Sequence, residues 1–102
     1  MREYKFKRGY KPDVDRLENL IRKYFKDFER EGEFYIVRFG AIEVMKVWIE
    51  NKKLYVEMKT NPNVSDDVAI QTIKIYNRFL EELTGYSAKE RVKMMRKEVE
   101  SG

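Results

Sequence analysis

The chain has 102 residues, with 22 Lys+Arg against 18 Asp+Glu for a net charge of +4, and it contains neither Cys nor His. That composition excludes disulfides, thiol nucleophiles, Cys/His zinc sites, Ser-His-Asp triads and imidazole acid–base catalysis. The length predicts a single domain over residues 1–102, and 42% hydrophobic with 14% aromatic residues suffices for a core.

At the N-terminus, Tyr4 and Phe6, continuing to Arg8 and Tyr10, alternate with Glu3, Lys5 and Lys7. This period of two predicts an amphipathic strand that Gly9 ends. Pro12, Asp13 and Asp15 open a helix, since acids suit the positive end of the helix dipole. Val14, Leu17, Ile21, Tyr24 and Phe28 recur at steps of three and four, so the helix should run about four turns to a stop at Gly32.

Three strands should follow, Phe34–Phe39, Ile42–Glu50 and Leu54–Thr60, with Asn51-Lys52-Lys53 as a tight turn. Leu54, Val56 and Met58 point inward in the last of them. The first two are apolar on both faces: Phe34 and Ile36 oppose Tyr35, Val37 and Phe39, and Val44 and Trp48 oppose Met45, Val47 and Ile49. Such strands are usually covered on both sides.

Ser65 caps a long helix with Asp66 and Asp67 in its first turn, and Gly85 suits its left-handed end. Ser87-Ala88-Lys89-Glu90 is a capping box that starts a last helix. Its apolar seam is Ala88, Val92, Met95 and Val99; Met94 falls off that seam, and Lys89, Lys93, Arg96 and Lys97 share one sector. The expected order is β-α-β-β-β-α-α: an α+β fold with a mainly antiparallel four-stranded sheet packed against helices.

The positive excess is local. Residues 1–12 carry five basic groups against Glu3, and the other ninety residues are balanced at 17 of each sign. A basic segment attracts polyanions, although lysines on an edge strand also discourage aggregation. Lys/Glu/Arg richness with one Gln leans toward a heat-adapted, thermostable protein. The charged opening residues are not followed by an apolar run of about 7–15 residues, so no signal peptide is expected. No run approaches the roughly 20 apolar residues of a membrane span, which makes the cytoplasm the expected location.

The paired carboxylates Asp13/Asp15 and Asp66/Asp67 sit where helix N-termini favour acids, so neither a metal nor a cofactor is expected. Phosphate-binding, serine-hydrolase and zinc-protease motifs are absent, no catalytic residue is assigned, and the protein is not expected to be an enzyme. Non-enzymatic binding remains, in three forms. Tyr35, Val37, Phe39 and Met94 are interface candidates for a protein partner or a homodimer, because they predict a second apolar surface. Lys5, Lys7, Arg8, Lys93, Arg96 and Lys97 are the candidates for RNA contact. A small apolar ligand held between the sheet and the long helix, as in helix-grip folds, is the third.

The opening Arg2-Glu3-Tyr4-Lys5-Phe6-Lys7-Arg8-Gly9, then Pro12-Asp13, and the closing Thr84-Gly85-Tyr86-Ser87-Ala88-Lys89-Glu90-Arg91 resemble a family of small archaeal proteins described as a domain of unknown function. The resemblance covers most of the chain. It implies an archaeal, cytoplasmic, single-domain α+β protein and supplies no catalytic or binding residues.

Overall fold

The computed structural model describes the backbone of residues 1–101 and the side chains of residues 1–96. The elements are β1 (Arg2–Tyr4), α1 (Val14–Phe25), β2 (Glu29–Glu31), β3 (Phe34–Phe39), β4 (Ile42–Glu50), β5 (Lys53–Thr60), α2 (Asp66–Thr84) and α3 (Ala88–Ser101). The sheet is five-stranded in the order β1-β5-β4-β3-β2, and every pairing is antiparallel. The α+β class holds, and the expected four strands become five.

The extra strand is β2. Helical periodicity carries Phe28 into the first helix, but α1 ends at Phe25. Lys26 takes φ 68° and ψ −66°, and the Asp27 N–H donates to the Phe25 carbonyl at 2.8 Å. These angles and that bond form a φ-positive γ-turn, a rare and strained conformation. It redirects the chain so that Glu29–Glu31 pairs with Phe34–Ile36 and covers the edge of β3. Phe28 still reaches the core side, with its ring 5.5 Å from that of Tyr35.

The first strand is shorter than its alternation implies. β1 stops at Tyr4, and the Lys7 N–H donates to the Thr84 carbonyl at 2.8 Å. The basic segment therefore leaves the sheet and docks on the end of α2. Gly85 there has φ 84°, and a Cβ on it would sit 2.6 Å from the Tyr10 ring, so both the turn and the close approach require glycine.

One sheet face carries Tyr4, Tyr35, Val37, Ile42, Met45, Val47, Leu54 and Val56, which join Leu17, Ile21 and Phe25 of α1 and Phe79, Leu80 and Leu83 of α2 in the core. Tyr35 is 1% exposed and Val37 0%, while Phe39 packs edge-on against Phe25 at 5.3 Å. This corrects the interface expectation for Tyr35, Val37 and Phe39. They belong to the helix-covered face because they share its pleat with Val47, Met45 and Val56 across β4 and β5.

The opposite face carries a transverse row, Phe34–Trp48–Tyr55. Trp48 stacks on Tyr55 at 5.5 Å and meets Phe34 edge-on at 5.1 Å, which leaves it 8% exposed. Offset and edge-to-face ring contacts of this kind let a sheet bury its own aromatics. Lys46 lies 4.8 Å over the Phe34 ring. Glu3, Glu29, Glu31, Glu43 and Glu57 stand among Arg38, Lys46, Lys53 and Lys59, so this face has no positive excess.

The helices are tied together by polar groups at their ends. Arg16 of α1 donates to the carbonyls of Glu82 and Leu83 at 3.1 and 3.3 Å, satisfying acceptors that the last turn of α2 leaves over. Lys23 donates to Glu82 at 2.7 Å and, with Tyr24, holds that carboxyl below the usual carboxylate range. The capping box of α3 forms as expected, Ser87 N–H to Glu90 and Glu90 N–H to the Ser87 hydroxyl at 3.1 and 3.2 Å.

Candidate functional site

A hollow lies between α2 and the β5–β1 side of the core face. It has a volume of about 620 Å³, within the roughly 300–1,000 Å³ range of small-molecule sites. Ile42, Val56 and Met58 form its floor and Ala69, Ile73 and Tyr76 its wall. Sequence and topology together make it. β1 pairs only with Leu54–Val56, so the second half of β5 has no neighbour on that side. Small Ala69 and Thr72 face the sheet from the N-terminal half of α2, whereas Phe79, Leu80 and Leu83 fill the space beneath its C-terminal half.

Thr72 fixes the near end. Its hydroxyl donates to the Val68 carbonyl at 2.7 Å and accepts the Ala41 N–H at 2.9 Å. Gly40 beside it has φ 53°, and a Cβ there would lie 2.3 Å from the Thr72 hydroxyl oxygen. The β3–β4 turn is thereby pinned to α2 with no room for a side chain.

The far end is polar. Arg2, Tyr76 and Asn77 line it. The Tyr76 and Tyr4 hydroxyls are 3.2 Å apart, and burial, reinforced by Tyr4, pushes the Tyr76 hydroxyl well above the usual phenol range. Tyr76 therefore keeps its proton and can serve as a hydrogen-bond donor. Behind this pair, Arg91 of α3 is 8% exposed. It donates to the Tyr86 carbonyl at 2.6 Å and to Asn77 Oδ1 at 2.9 Å, and lies 5.9 Å over the Tyr4 ring. Its burial pulls the guanidinium below its ordinary value.

Arg91 also shows how α3 is rotated relative to its sequence reading. The inward residues are Arg91 and Met94, while Val92 and Met95, expected in the apolar seam, are 49% and 44% exposed. A long Arg side chain can bury its methylenes and satisfy its head with carbonyl oxygens, which apolar periodicity does not register. Val99 of that seam lies outside the residues whose side chains are described.

Of the RNA candidates, Lys7 and Lys93 meet beside Glu90. Lys5 and Met94 line a small hollow with Tyr4, Tyr86 and Arg91. Lys7 lies 3.9 Å from Glu90 and 5.8 Å over the Tyr86 ring. Lys7 and Lys93 both act on the Glu90 carboxyl, which the Ser87 backbone and hydroxyl chiefly hold below its usual range. Arg8 and Arg96 are exposed, and Lys97 lies outside the residues whose side chains are described. Among the described residues, no group of three or more acidic, His or Cys side chains could hold a metal ion, and no helix is long and apolar enough to cross a membrane.

The family described as a domain of unknown function, DUF5611, matches residues 1–97. The solution NMR structure of the hypothetical protein TA0095, from the archaeon Thermoplasma acidophilum, is similar at 33% identity and a TM-score of 0.65. The match covers 93% of this chain and 97% of that one. No curated protein matches.

Proposed function

The chain belongs to the DUF5611 family of domains of unknown function, and we propose that it is a non-enzymatic binding protein whose cleft between α2 and the β5–β1 side holds a small ligand with an apolar body. The observation that carries this reading is the cleft itself, about 620 Å³ with an apolar floor and wall and polar groups gathered at one end. A concave apolar site with a few convergent polar groups is the usual form of a small-molecule site. The ligand would displace water from Met58, which is half-buried, and from Ile73, which is 58% exposed.

Decanol is a suitable neutral probe. Titrated below its solubility limit and followed by methyl NMR, it should shift Val56, Met58 and Ile73 selectively. Ala69→Phe fills the cleft and should abolish those shifts while the fold persists. Shifts scattered over the surface, or none in the wild type, would remove the proposal.

RNA contact by the docked termini is the second reading. It is favoured by the placement of Lys7 and Lys93 around Glu90, which joins the two basic segments in one region. Association with a second copy loses Tyr35, Val37 and Phe39 as its surface, since these lie in the core, and keeps the half-buried Met94 beside the exposed Val92 and Met95.

A further inference from the structure

The geometry points to an amphipathic monoanion as the ligand: a carboxylate head received by Arg2 at the polar end, with its tail along Val56, Met58 and Ile73. This inference rests on the cleft being a small-molecule site and adds the sign of the charge on the ligand.

Arg2 lies on the core-facing side of β1, opposite Val56, and borders the cleft with Tyr76 and Asn77. Its neighbour Glu3 points to the other face, where Lys53 holds it at 2.7 Å. Among the described residues, no carboxylate lies within ion-pair distance of Arg2; the group that acts on it most is the Tyr4 hydroxyl. A guanidinium at the mouth of an apolar cleft, with no acid of its own, is matched by a planar carboxylate taken bidentately.

Arg91 does not compete for that head, because it already donates to the Tyr86 carbonyl and to Asn77 Oδ1. Its role is positioning. With Oδ1 turned to Arg91, the Asn77 amide N–H groups are the donors left for the cleft. The Tyr76 hydroxyl supplies another. The Arg2 guanidinium, with these neutral donors beside it, suits a carboxylate head.

Decanoate, decanol and decyltrimethylammonium share a tail length and differ in head charge. The wild type should bind decanoate at least about tenfold tighter than decanol, the gain expected of a hydrogen bond to a charged group. Arg2→Gln should remove that preference, so that decanoate binds no tighter than decanol to the variant, and Arg2→Glu should shift preference to decyltrimethylammonium. Calorimetry gives the affinities, and NMR shifts at Tyr76 and Asn77 place the head. If decanol binds in the cleft as tightly as decanoate, or if Arg2→Gln leaves the preference intact, the anion inference falls and the cleft reading stands. If none of the three binds in the cleft, both fall.

Discussion

Thr72 shows how much of this fold hangs on single polar atoms. Its hydroxyl is the buried acceptor for the Ala41 N–H at the β3–β4 turn, and Gly40 lets the turn come close enough to use it. Thr72→Val keeps the side chain's shape and strands that N–H, which should cost about 1–3 kcal/mol. Thr72→Ser keeps the oxygen and should cost clearly less. Urea midpoints decide it, and equal losses in the two variants would refute the hydrogen-bond account. Arg16 and Arg91 work in the same way at longer range, each ending on carbonyl oxygens of a neighbouring segment. None of these three roles was legible beforehand, because apolar periodicity does not register a polar head and the partners of Thr72 and Arg16 are distant in sequence.

Among the elements, α1 departs most from its pattern. Apolar spacing continues smoothly to Phe28, yet the helix breaks at Lys26 in a strained turn. Periodicity records which residues face the core, and Phe28 does face it from outside the helix. The break is retained because it delivers β2 to the edge of β3. Lys26→Gly should relieve the positive φ, worth about 1–2 kcal/mol, against an entropic loss of about 0.4–1 kcal/mol for adding a glycine. A net stabilisation of up to about 1.6 kcal/mol is expected in chemical denaturation; destabilisation would show that the Lys26 side chain contributes more than its backbone costs. Where punctuation is local, the two ends of α2 and the start of α3 were legible. Ser65, Gly85 and the Ser87/Glu90 box stand where they were expected, since capping is decided within four residues.

Over the whole molecule, charge is divided between the docked termini and the body. Residues 1–12 carry five basic groups against one acidic, α3 carries five against three, and residues 13–87 carry 12 against 14. If this region contacts RNA, binding should weaken steeply with salt, and replacing Lys5, Lys7, Arg8, Lys93 and Arg96 with Gln should flatten the slope of log affinity against log salt. Filter binding at two ionic strengths tests this, and salt-insensitive or absent binding would end the RNA reading. The sequence by itself determined the α+β class, the three central antiparallel strands, the caps of α2 and the N-terminal cap of α3, and the kinship at both ends. These rest on periods, caps and turns that act within a few residues. Tertiary structure alone decided which apolar face of β3 and β4 is covered, because both faces satisfy the same alternation and only the register with β5 and the position of α1 distinguish them. It alone decided the cleft as well, which arises because α2 bridges a sheet edge that β1 is too short to close.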